Sequence, residues 1–125
     1  PEFVRLKVKL ASKSPVLDFN QLLPYQESAV IYRYEVVRVL EGKYSEPQVL
    51  VCHPAHIRLQ AQSLNRYSTG GVYDMHLMEL DVSRWSAIKT SDHTGRPELS
   101  RYIQVSDEKR FPTGAKDTAK GGDAR

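Results

Sequence analysis

The sequence predicts a mainly β domain: a small five-stranded antiparallel barrel with Greek-key connections and at most short helices. Three observations lead there. Five segments carry strand patterning, and one of them is about twice the usual strand length. The connections between them are long and uneven, whereas a two-sheet sandwich needs about seven strands at more regular spacing. A sixth, short strand would leave the class unchanged.

Phe3 to Leu10 (FVRLKVKL) alternates strictly, with Val4, Leu6, Val8 and Leu10 on one side and Arg5, Lys7 and Lys9 on the other. Successive side chains of a strand point to opposite faces, so this pattern is a half-buried strand. After it, Pro15 and Pro24 interrupt any regular element, and the stretch reads as a long connecting loop. From Ala29 to Leu40 β-branched and aromatic residues dominate. Val30, Tyr32, Tyr34 and Val36 share one face; Ala29, Ile31, Val37 and Val39 lie on the other, interrupted by Arg33 and Glu35. Such a long ribbon serves both halves of a small barrel if it bends.

Glu41-Gly42-Lys43 then turns the chain, and Gln48 to His53 forms a third strand that Pro54 is expected to end. Ala55 to Thr69 fits neither period and reads as a loop or a short helix. Gly70-Gly71 marks a turn, and Val72 to Leu80 resumes alternation as the fourth strand. Asp81 to Leu99 is polar, with Trp85 and Ile88 as its large apolar anchors; Ser100 to Asp107 supplies the fifth strand. The barrel domain is expected to span 1–111. Residues 112–125, without a hydrophobic face, are expected to form a flexible or vector-derived tail.

Eighteen Lys and Arg stand against fifteen Asp and Glu, a formal charge of +3 with both signs dispersed. A nucleic-acid surface concentrates its cations, so nucleic acid is not an expected partner. Cys52 is the single cysteine and excludes an intrachain disulfide. No run approaches the roughly 20 apolar residues that span a bilayer, so no membrane insertion is expected. The chain opens at Pro1 directly into strand-like sequence, which suggests a piece of a longer protein with further domains.

The stretch PYQESAVIYRYEVVRVLEGKYSEPQVLVCHPAH carries a Pro-Tyr pair before a long strand, Tyr-x-Tyr-x-Val within it, the turn VLEGKY, and a following strand ending at His. This resembles a bacterial domain of the netrin-like type, whose barrel is similar to that of the tissue inhibitors of metalloproteinases. The resemblance covers roughly 6–56, and more loosely VYDMHLMEL and DHTGRPEL. It implies an OB-type barrel, the oligonucleotide/oligosaccharide-binding architecture, in an accessory domain of an exported or cell-envelope protein, periplasmic or extracellular. The chain departs from the animal inhibitors in lacking their N-terminal Cys and all their disulfides, so their zinc-chelating wedge does not carry over.

Candidate chemistry is local. Cys52, His53 and His56 put a thiolate and two imidazoles within five residues, a ligand set suited to zinc or copper, with His76 or His93 to complete it. Against this, Pro54 turns the backbone, and the favoured reading has Cys52 as a small buried hydrophobe and His53 or His56 as a polar loop residue. Cys52 and His53 cannot pair as nucleophile and base, because neighbours on a strand face apart. Glu79 and Asp81 sit at a strand end and read as solvated. A ligand-stacking platform is sought at Tyr32, Arg33 and Tyr34 on the longest strand and at Trp85, against the competing reading that the tyrosines fill the barrel. The expected function is a non-catalytic interaction or accessory domain that needs no cofactor and binds a protein partner or a glycan through loops at one barrel end. The alternative is a small metal- or thiol-dependent enzyme centred on Cys52, His53 and His56.

Overall fold

A computed structural model of the chain describes residues 3–112. It is mainly β, with strands β1 (Phe3–Lys13), β2 (Ser28–Glu41), β3 (Gln48–Ile57), β4 (Gln60–Ala61), β5 (Val72–Glu79), β6 (Lys89–Ser91) and β7 (Arg101–Gln104). Two single-turn helices, α1 (Phe19–Leu22) and α2 (Val105–Glu108), and a 3-10 turn at Leu80–Val82 complete the regular structure. The expected tail lies, apart from Pro112, outside the described residues.

The strands form one mixed sheet in the order β4-β3-β7-β5-β1-β2-β6, and β2 also pairs with β3. That extra pairing closes β1, β2, β3, β7 and β5 into a ring. The expectation of a purely antiparallel barrel of five or six strands fails on both counts, because the sheet has seven strands and β3 pairs with β7 in parallel and β2 with β6 in parallel. The first parallel pairing has a geometric cause. Directions can alternate all the way round a closed ring only if the number of strands is even, so a five-strand ring must contain a parallel seam. Here β7 runs antiparallel to β5 and parallel to β3. The second comes from the long β5–β7 connection, whose middle docks as β6 against the start of β2.

Strand alternation builds two cores. Val4, Leu6, Val8 and Leu10 of β1 point inward to Val30, Tyr32, Tyr34, Val49, Val51, Met75 and Leu77, while Arg5, Lys7 and Lys9 remain exposed. On the opposite faces of β2 and β3, Ala29, Ile31, Leu50 and Cys52 form a second core, outside the ring, with Leu80, Trp85, Leu99 and Ile103. The β5–β7 connection therefore acts as a cover over one outer wall. Each large apolar side chain so buried stabilises the fold by about 1.5–3 kcal/mol.

Pro54 does not end β3, which continues to Ile57. Its position explains the tolerance: the register between β2 and β3 slips beside it, between Ser28 and Ala29, and β7 reaches only Cys52 on the other side. Proline fits a strand at such a bulge because no ladder hydrogen bond is asked of it.

Gly42, which turns the chain out of β2, has φ +81°. A Cβ there would stand 2.7 Å from the carbonyl oxygen of Phe3 and 3.1 Å from Val4. Gly42→Ala is therefore expected to lower stability by about 1–3 kcal/mol, read from urea denaturation. An unchanged midpoint would mean that the turn adopts a different path.

Candidate functional site

The residues singled out from the sequence are not brought together. Tyr32 and Tyr34 are buried in the barrel interior and Trp85 is fully buried in the outer core, edge-on to Phe111 with ring centroids 5.7 Å apart. None of the three offers a ring face to a ligand in solvent. Arg33 is half-buried on the outward side of β2, in register with Leu50. Cys52 and His53 lie back to back, the thiol in the outer core and the imidazole in the inner one, as alternation along β3 demands. Burial pushes the Cys52 thiol up to about 12, which holds it protonated at neutral pH. His56 faces Ser28, with Nδ1 2.7 Å from the hydroxyl. His76 sits outside against the Phe3 ring and His93 is on an exposed loop. Among the described residues no group of three or more His, Cys, Asp or Glu side chains is placed to hold a metal ion.

What the sequence hid is a polar line through the inner core. The Tyr34 hydroxyl lies 2.7 Å from His53 Nε2, and His53 Nδ1 lies 4.0 Å from Asp107 Oδ2 on α2. Arg110 donates to the other Asp107 oxygen at 3.0 Å, and the Gln104 amide bridges Tyr67 and Asp107 at 2.7 and 3.4 Å. Burial pushes the His53 imidazole down to about 3, reinforced by the cations of Arg66 and Lys13. The ring is thus neutral at physiological pH. With the Tyr34 hydroxyl donating to Nε2, its proton sits on Nδ1, which is buried without a hydrogen-bond acceptor, the Asp107 oxygen at 4.0 Å being out of reach. Burial also raises the Tyr34 phenol. The gap between His53 and Asp107 breaks the line as a proton relay, and all three groups are buried. Their burial makes this a structural tie between α2 and the barrel.

Open space lies elsewhere, astride Leu99 and Ser100, which line two neighbouring cavities of about 560 and 630 Å³. The first has an apolar floor of Leu50, Leu80, Pro97 and Leu99 and a rim carrying Glu79, Asp81, Asp92, Arg96 and Arg101. The second is walled by Tyr44, Tyr102, Lys43 and Glu46. Two ion pairs stand at the cavities, Arg101 to Asp92 at 2.7 Å and Arg96 to Glu98 at 2.5 Å, with a further contact from Arg96 to Gln48, while Glu79 and Asp81 are in no ion pair among the described residues. Burial pushes the Asp92 carboxyl up, but hydrogen bonds from Thr94 and Arg101 outweigh it and hold the group below its usual range. In the second cavity Tyr44 donates to the Gln48 carbonyl at 2.5 Å and meets Tyr102 edge-on at 5.7 Å. Burial, with Tyr102 and Glu46 nearby, pushes the Tyr44 phenol up to about 12.

Sequence reasoning passed over these cavities because their walls come from the polar Asp81–Leu99 stretch and from a turn. Glu79 and Asp81, read as merely solvated, line the first. The available signal was the lone Leu99 beyond Gly95 and Pro97, an apolar anchor in an otherwise hydrophilic run. Compared with known proteins, the chain matches no family model, no curated protein and no solved structure.

Proposed function

We propose that this domain is a non-catalytic interaction module that grips a segment of a protein partner in the paired cavities astride Leu99 and Ser100. The observation that carries the reading is the composition of the first cavity, apolar side chains of Leu50, Leu80 and Leu99 inside a charged rim in which Arg101 is paired to Asp92 and Glu79 and Asp81 stand unpaired among the described residues. Protein interfaces have that anatomy: a desolvated apolar anchor at the centre and a polar rim around it. The groups with chemical reactivity, Cys52, His53 and His56, are buried and line neither cavity. A glycan is the less favoured occupant. Sugar recognition calls for an open aromatic face, and the edge-on contact of Tyr44 with Tyr102 takes up one such face.

The five-strand ring, with its jump from β3 to β5 and the return of β7 between them, supports the reading of the domain as an OB-type barrel. On that reading the β5–β7 connection covers part of the outer wall of β2 and β3, and recognition moves to the margin of the cover, where the cavities are. The resemblance to bacterial netrin-like domains implies an exported or cell-envelope setting, periplasmic or extracellular, beside other domains of a longer chain.

Selection from a displayed peptide library, with a glycan array in parallel, tests this. The native domain is expected to enrich peptides with a shared apolar anchor. Ser100→Trp, which fills both cavities from an exposed position, is expected to weaken them at least about tenfold, the loss of one hot-spot residue. No enrichment, equal binding by the variant, or hits confined to glycans would overturn the proposal.

A further inference from the structure

A second exposed feature is independent of those cavities. The β1–β2 connection presents Val16, Phe19, Leu23 and Tyr25 to solvent at 46%, 52%, 47% and 55% exposure, four large apolar side chains within one short stretch of chain. Their presentation is enforced by local structure. Asp18 caps α1 by accepting the Gln21 backbone N–H at 2.8 Å, and Gln21 accepts the Asp18 N–H at 2.9 Å, a reciprocal capping box. Leu22, fully buried, anchors the turn to the barrel, and Phe19 and Leu23, one helical turn apart, are left facing out.

Cations surround this tip. Lys13 ends β1 where the connection begins, but its ammonium lies 5.7 Å from the ring centroid of buried Tyr32, whereas the Lys89 ammonium lies 5.3 Å from the Tyr25 ring centroid. Arg58 stands in the turn that meets the end of the connection, its N–H on Glu27 at 3.2 Å and the next N–H on the Gln26 carbonyl at 2.8 Å. Among the described residues none of these three cations is ion-paired. The two carboxylates of the connection, Asp18 and Glu27, are turned onto backbone N–H groups.

We propose that this tip seats the domain on an anionic lipid surface, with Phe19, Leu23 and Tyr25 in the headgroup–acyl boundary and Arg58 and Lys89 over the phosphates. Aromatic and aliphatic side chains ringed by lysine and arginine match the chemistry of that boundary. No helix among the described residues is long and apolar enough to cross a membrane, and surface seating requires none. The patch exposes on the order of 300–400 Å² of apolar surface, well short of the roughly 800 Å² per partner that a stable dimer buries. A bilayer asks for no matching surface of that size.

The test is co-sedimentation of the domain with vesicles of phosphatidylcholine alone and of phosphatidylcholine mixed with phosphatidylglycerol. The domain is expected to pellet with the mixed vesicles, less so as salt rises, and weakly with the neutral ones. Phe19→Ser combined with Leu23→Ser should weaken binding at least about tenfold, and Arg58→Glu with Lys89→Glu should abolish the preference for anionic lipid. Val72→Ser, at an exposed apolar position on β5, should change nothing. No pelleting with either vesicle, or equal binding by the serine variant, overturns the proposal. So does self-association in sedimentation velocity that the serine variant removes, which would make a second copy the occupant.

Discussion

Trp85→Ala is expected to lower stability by about 3–5 kcal/mol, the cost of emptying the space of a fully buried aromatic side chain in a core that relaxes only in part. The cause lies in the cover formed by the β5–β7 connection. Trp85 is its largest buried side chain, and it packs in the same cluster as Ala29, Ile31, Leu50 and Cys52 on the outer wall. With that anchor gone the cover loses its hold, and the cavities built from it lose a wall. Denaturant titration gives the stability, and the rate at which a thiol reagent labels Cys52 gives the local opening, expected to rise in the variant. Trp85→Phe is the informative control. The indole N–H has no acceptor in its buried site, so phenylalanine removes an unsatisfied donor while keeping most of the ring. Its cost is expected to be about 1 kcal/mol or less. Equal losses for Phe and Ala would mean that the indole itself, not the filled volume, holds the cover.

The second large effect is a pH dependence centred on His53. An imidazole in the unfolded chain takes up a proton near pH 6.5, whereas the buried ring does so only near 3. Between those limits the unfolded state binds the extra proton. Stability therefore falls as pH falls, by up to about 1.4 kcal/mol per pH unit, and the full contribution is present above pH 6.5. The groups facing the ring are Tyr34 and Asp107 in line, with Tyr32 and Tyr67 packed against it and Lys13 and Arg66 acting at longer range. The Asp107 carboxylate at 4.0 Å favours a charged ring, but the loss of water outweighs it. His53→Leu is expected to lower stability at neutral pH by about 1–3 kcal/mol, because the Tyr34 hydroxyl loses its partner. The same variant should flatten the slope between pH 6.5 and 3 relative to the native protein. Parallel slopes for the two proteins would show that His53 titrates normally in the fold.

The parts of this fold that were legible in the sequence are those where one periodicity had one cause. β1 alternates because one face meets the core and the other meets water, and the structure buries the residues that the alternation selects. β2 was readable as a long strand, and its apolar character on both sides has its explanation in the second core outside the ring. The strand directions were not legible, although parity alone forbids a closed antiparallel ring of five. The three-residue β6 was not read, and the expected fifth strand from Ser100 to Asp107 is present only as β7, with α2 taking over at Val105, since strands so short are fixed by what they dock against rather than by their own pattern. Side-chain direction separated candidate chemistry from real neighbourhoods. Cys52 and His53 are adjacent in sequence and lie on opposite sides of a sheet, while His53 and Asp107, far apart in sequence, face each other across the barrel interior. The first cavity was hidden for a related reason: its apolar side chains come from separate segments, and Leu80 and Leu99 each stand among polar neighbours.

The parallel seam between β3 and β7 also fixes an order of events for a chain emerging from the ribosome. Strands β1, β2 and β3 can pair in turn as a meander, but the seam joins Cys52 to Ile103, so the last strand must arrive before the cylinder can shut. Until then the nascent sheet carries two open edges, β3 on one side and, once β5 has paired with β1, β5 on the other. Closure is thus a late event that depends on distant parts of the chain, the kind of topology that folds slowly and profits from being held until synthesis is complete.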